Sequence, residues 1–210
     1  KEKNTIFNDY DYTNEYAITP ENTSLNGTIN TDNIIVNYYY KKKATITVNY
    51  YKEGTTEKLA NSDTLIKYYG DTYDVSTNEY KNKSTIPSKY EYSSVNPSNE
   101  VKGTVNQDTV TINYYYKLKK SKIIINYYKE GTTEKLADTT TLNQTYDDKY
   151  DVTSYKDNKS ISMDYRYVSY TSTPENALSG IVSQDTITVK YYYALKEATI
   201  NIKYLDELTN

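Results

Sequence analysis

With no histidine and no cysteine among 210 residues, the side chains that could do chemistry are carboxylates, lysines, hydroxyls and 29 tyrosines. Ser-His and Cys-His nucleophiles, histidine general bases and the common structural zinc sites each need a residue type that is missing. The carboxylates gather in two places, Asp71 with Asp74 and Asp147 with Asp148 and Asp151. Paired acids can divide acid and base work or ligate calcium. Here both groups lie in stretches without periodicity, where a short acidic side chain caps a turn. Capping is the expected role, so neither an enzymatic reaction nor a metal nor a cofactor is expected.

Tyrosine is the remaining candidate. Tyr39, Tyr115 and Tyr192 recur at equivalent positions, as do Tyr51 and Tyr128, each on the outward side of a strand pattern. An exposed aromatic ring can stack on the apolar face of a sugar. The same ring can also pack at a junction or fill a pleated surface, which tyrosine does well. Tyr51, Tyr115, Tyr128 and Tyr192 are the leading ligand-binding residues.

These positions recur because the chain repeats itself. NYYKEGTTEKLA occupies residues 49–60 and again 126–137, 77 positions later, the signature of a tandem array. An ungapped overlay of 44–120 on 121–197 also pairs Tyr73, Asp74 and Val75 with Tyr150, Asp151 and Val152, Pro97 with Pro174, and Gly103 with Gly180. It pairs the Tyr114–Tyr116 triplet with Tyr191–Tyr193 as well. The expected organisation is the C-terminal part of a first repeat over 1–43, complete repeats over 44–120 and 121–197, and the opening strand of a following repeat over 198–210. The sequence reads as a window from a longer array.

Each repeat opens with alternation, Ile46, Val48 and Tyr50 on one face and Thr45, Thr47, Asn49 and Tyr51 on the other, which predicts a half-buried strand. Gly54 then offers the positive φ of a tight turn before a second strand over about 57–68. The repeat closes with Val110, Ile112, Tyr114 and Tyr116 inward. Between them, 70–88 reads as a loop with one short helix, and Tyr90 with Tyr92 as a further strand. Tyr50, Tyr90 and Tyr114, with partners Tyr127, Tyr167 and Tyr191, are expected in the core, where burying such a ring contributes roughly 2–3 kcal/mol.

The formal net charge is -3, with acids and bases interleaved along the chain, so no basic face for nucleic acid is expected. Lys41–Lys43 reads as a solvated linker. No apolar run approaches the roughly 20 residues of a membrane span. Repeat junctions of about four residues without Gly or Pro predict modules stacked end to end in an elongated, monomeric rod, with edge-strand contacts confined to the incomplete copies at its ends.

The ordered pattern, an opening I-x-V-x-Y-Y strand, a Gly turn, G-D-x-Y-D-V, Y-x-Y and a closing G-x-V-x-Q-D-x-V-x-I-x-Y-Y-Y, resembles the MucBP (mucin-binding protein) repeat of Gram-positive surface proteins. IKYLDE at 202–207 and GDTYDV at 70–75 are the nearest local matches. The resemblance implies mainly β, ubiquitin-like β-grasp modules of the α+β class. It further implies an extracellular, cell-surface adhesin region, anchored to the cell wall through a part of the protein outside this sequence. Such a region would bind mucin or other glycoprotein glycans weakly and multivalently. Repeats of this kind can also serve as a structural stalk that projects a distal domain without binding glycan itself.

Overall fold

The alternating opening and closing segments of both repeats are strands in the computed structural model, which describes residues 8–21 and 23–204. The chain is mainly β and divides after Lys117 into two units. The first contains β1 (Tyr10–Thr19), β2 (Ile35–Lys52), β3 (Lys58–Tyr68), β4 (Thr72–Asp74), the single-turn helix α1 (Asn78–Lys81), β5 (Tyr90–Asn96), β6 (Lys102–Thr104) and β7 (Thr109–Leu118). The second half of β2 is central: it pairs antiparallel with β3 and parallel with β7, and β7 also carries β5. The first half of β2 pairs with β1, while β4 and β6 form a separate two-stranded ribbon.

The second unit repeats this plan with β8 (Lys120–Lys129), β9 (Lys135–Thr145), β10 (Lys149–Asp151), β11 (Tyr165–Thr173), β12 (Ser179–Ile181) and β13 (Thr186–Leu195). Its sheet runs β11-β13-β8-β9, with β13 and β8 parallel, beside a β10-β12 ribbon. Both cores are the inward sides of these sheets. Ile46, Val48, Tyr50, Ile112 and Tyr114 are buried in the first, and Ile123, Ile125, Tyr127, Val189 and Tyr191 in the second. Tyr50 stacks on Tyr114 at 6.1 Å between centroids and 17° between planes, and Tyr127 stacks on Tyr191 at 6.2 Å and 22°.

Tyr90 and Tyr167 differ from expectation. Both are half-buried, because β5 and β11 end their sheets and leave one side of each ring uncovered. They are not counterparts either. Tyr92 packs on Tyr114 and Tyr116 as Tyr167 packs on Tyr191 and Tyr193, so the true offset here is 75 residues. The first unit spends its two additional residues between Val75 and Tyr80, where α1 forms; the second has a 3-10 turn (Thr153–Asp157) there and recovers the length in β11, nine residues against seven in β5.

The lysine run is not a linker. Lys41–Lys43 lies inside the continuous 18-residue β2, with Lys42 paired to Asp108 and over the Tyr69 ring, and Lys43 2.9 Å from Asp11. At the other end, 198–204 forms no strand, and Ile200, Ile202 and Tyr204 are exposed. Their counterparts Ile123, Ile125 and Tyr127 are held between β9 and β13; a lone alternating segment gains nothing comparable. The remainder of the strand expected over 198–210 lies outside the described residues.

Candidate functional site

The parallel register decides what the outward tyrosines do. Tyr51 lies opposite Tyr115 across β2 and β7, and Tyr128 opposite Tyr192 across β8 and β13. Side chains two apart on a strand share a face, so each of these rings is on the side away from the core. The structure therefore brings the four predicted residues together as two pairs, with centroids 6.1 Å apart for Tyr51 and Tyr115 and 6.2 Å for Tyr128 and Tyr192, both at 30° between planes. All four rings are half-buried, each covering part of its neighbour. Tyr39, in the half of β2 that pairs with β1, is 48% exposed.

A polar ladder that alternation alone does not reveal runs beside each ring pair. In the first unit Asn49 Nδ2 donates to Asn113 Oδ1 at 2.9 Å, Ser62 Oγ donates to Asn49 Oδ1 at 2.6 Å, and Lys58 Nζ donates to Ser62 Oγ at 3.0 Å. Lys58 Nζ is also 6.0 Å from the Tyr51 centroid. In the second unit Thr139 Oγ1 donates to Asn126 Oδ1 and Lys135 Nζ to Thr139 Oγ1, both at 2.8 Å. Asn49 and Asn126 are both buried, and they hold the ladder on the sheet. The signal available in the sequence was NYY itself, an amide two residues before an outward ring in both copies.

The identical hairpin loop next to each ring pair maintains itself. Thr55 Oγ1 donates to Lys52 O at 3.0 Å and accepts from Glu57 N at 3.1 Å, with Lys52 and Glu57 3.6 Å apart. Thr132, Glu134 and Lys129 repeat these bonds. Gly54 and Gly131 both take φ +71°, the left-handed conformation that favours glycine.

The carboxylate groups cap turns. Asp71 Oδ2 accepts from Tyr68 N and Asp148 Oδ2 from Thr145 N. Asp74 Oδ1 accepts from the hydroxyl and backbone N–H of Ser76, and Asp151 Oδ1 from those of Thr153, which holds both acids below the ordinary carboxylate value. Asp147 keeps φ at +69° where Gly70 has +90°, a conformation aspartate tolerates better than most residues. Among the described residues no three His, Cys, Asp or Glu side chains could together hold a metal ion.

One further polar cluster exists in the first unit alone. Asp63 accepts from the Tyr50 hydroxyl on one oxygen and from Lys83 Nζ on the other, and that Nζ lies 4.7 Å over the Tyr50 ring. Burial works against the Asp63 charge, but the bonds from Lys83 and Tyr50 outweigh it and lower its pKa. Burial, and then the bond to Asp63, raise that of Tyr50. A carboxylate with both oxygens occupied is poorly placed to accept a proton from a ligand. In the second unit Thr140 stands there, 3.3 Å from the Tyr127 hydroxyl.

Comparison with known proteins adds three findings. The family model for the MucBP domain matches residues 45–117 and 122–194. Over 205 residues the chain is 29% identical to Internalin J of Listeria monocytogenes serotype 4b (strain F2365); the alignment takes in 92% of this chain and 20% of that protein, so the chain spans about a fifth of its relative's length. Among solved structures, the type 2 repeat of the mucus binding protein MUB from Lactobacillus reuteri shares 19% identity, with 70% of this chain and 98% of that one covered and a TM-score of 0.30. Mub-RV shares 15%, with 73% and 100% covered and a TM-score of 0.28.

Proposed function

The chain belongs to the MucBP domain family, and we propose on that basis that it is a non-enzymatic repeat region of a bacterial surface adhesin that binds mucin or other glycoprotein glycans weakly and multivalently. The complete repeats are 44–120 and 121–197, each a β-grasp module anchored at the cell surface through other parts of its protein. What supports the β-grasp reading is the strand order β3-β2-β7-β5, matched by β9-β8-β13-β11, with a parallel central pair in each. The observation that carries the binding reading is the recurrence of an outward tyrosine pair beside a ladder of amides, hydroxyls and a lysine in both units. Sugars are recognised by that combination, rings for the C–H face and fixed polar groups for the hydroxyls.

A stalk is the second reading, favoured by the half-burial of each ring against its partner. The two readings separate on a mucin-coated surface. Two weak sites on one chain gain roughly 100-fold or more over one when both can engage. The adhesin reading therefore expects Tyr51→Ser with Tyr115→Ser to cut retention by far more than half, and the four-tyrosine replacement to abolish it with circular dichroism unchanged. Retention that survives all four replacements leaves the stalk.

A further inference from the structure

The charges that are interleaved along the sequence are sorted by the strands, and the two units sort them differently around the same ring pair. In the second unit Lys190 lies two residues before Tyr192 on the outer side of β13 and is exposed. That spacing puts it about 6–7 Å along the strand from the ring's own position. Lys135 lies opposite Tyr128 across β9. Arg166, outward between the inward Tyr165 and Tyr167, lies opposite Ala194 across β11, two residues past Tyr192. It is a diagonal neighbour at roughly 8 Å. Among the described residues neither Lys190 nor Arg166 pairs with a carboxylate. The acids on this part of the sheet are Asp138, exposed at the irregularity of β9, and Glu130, exposed two residues past Tyr128 with its backbone N–H on Tyr193 O.

The same places in the first unit are Asn113, Lys58 and Glu91. Asn113 is bonded to Asn49, and Glu91 lies 3.7 Å from Lys117, whose counterpart is Ala194. Asn61 stands in place of Asp138. Beside the first ring pair Lys58 and Lys117 thus stand against Glu91 and Glu53, the counterpart of Glu130, whereas three cations against two acids flank the second. Separations of this size fall within the roughly 8–10 Å over which charges attract at physiological salt.

We infer that the ring pair of the second unit is selective for acidic glycans, a sulfate ester or a sialyl carboxylate placed over Lys190 and Arg166, whereas the first unit takes neutral sugars. This rests on the glycan-binding reading and adds the ligand's charge to it. Stacking would hold the sugar ring on Tyr128 and Tyr192, and the anionic substituent would replace water at the two cations.

The test titrates the whole chain with lactose, sulfated lactose and sialyllactose at low salt, reading amide shifts around Tyr128 and Tyr192 separately from those around Tyr51 and Tyr115. The second unit should bind one or both acidic sugars about fivefold more tightly than lactose, with the excess lost at high salt. Lys190→Asn with Arg166→Glu should remove that excess and leave lactose binding as it was. These are residues the first unit already carries on the same strands, and Lys190→Arg should keep the preference. Asn113→Lys with Glu91→Arg should create it in the first unit. The sugar that shows the excess identifies the anion. Equal affinity for all three, or an excess that survives the double substitution, overturns the inference and leaves glycan binding intact; shifts with none of the three overturn both.

Discussion

In both units, phenols of the core end on a backbone carbonyl in the segments that connect the strands. Tyr73 donates to Glu100 O, Tyr114 to Val75 O, Tyr116 to Lys81 O, Tyr191 to Val152 O and Tyr193 to Lys156 O, at 2.6–3.0 Å in the first unit and 2.5 and 2.7 Å in the second. The ring fills the core and the tip fixes a loop that has little regular structure of its own. This explains why tyrosine, rather than phenylalanine, is the core residue. Removing only the tip leaves a carbonyl without its partner, at a cost of about 1–3 kcal/mol; removing the ring as well costs about 3–5 kcal/mol. Tyr114→Phe should therefore lower the urea midpoint of the first unit and Tyr114→Ala nearly unfold it, and Tyr191→Phe should act likewise on the second. Tyr115→Phe, outward and away from these loops, should change stability by less than about 0.5 kcal/mol. Equal effects of Tyr114→Phe and Tyr115→Phe would show that the loop carbonyls do not depend on the phenols.

Alternation made the long strands and their inward faces legible, because a period of two assigns every side chain to a side. It left the partners unassigned. Tyr51 and Tyr115 are 64 residues apart, and nothing local says that β2 and β7 are parallel neighbours, so the ring pair and the Asn49–Asn113 bond emerge only from register. The 75-residue offset of Tyr92 and Tyr167 was hidden for a related reason: α1 and the longer β11 lengthen different places by equal amounts, and an ungapped overlay averages over both. Hairpins are the opposite case, with the turn chemistry written in the loop. Gly54 has open space around its Cα but φ +71°, so Gly54→Ala is strained in the backbone rather than crowded and should cost about 1–2 kcal/mol. Gly54→Asn should cost less, since asparagine tolerates that conformation. Chemical denaturation of both variants checks it, and an Ala variant as stable as the parent would show the turn relaxes to another form.

Across the whole molecule, a core built on phenols sets a ceiling on pH. A phenol in the unfolded chain ionises near pH 10. Burial raises the pKa of Tyr114, Tyr116, Tyr191 and Tyr193, and burial with the bond to Asp63 raises that of Tyr50. Below pH 10 folded and unfolded chains hold these protons equally, and the contribution is fully present. Above it the unfolded chain loses protons that the folded chain keeps, so stability falls as pH rises. Each such ring removes up to about 1.4 kcal/mol per pH unit, less any screening by solvent at its oxygen. Tyr50, Tyr114 and Tyr116 act together in the first unit, Tyr191 and Tyr193 in the second. With a domain stability of about 5–15 kcal/mol, the first unit should unfold no less than about one pH unit above 10 and the second higher still. Tyrosinate absorbance should accordingly rise in stages: exposed rings near pH 10 with circular dichroism unchanged, then the buried set together with the loss of β signal. A single early rise with the fold intact would mean the core phenols ionise in place, against the hydrogen bonds by which they hold the loops.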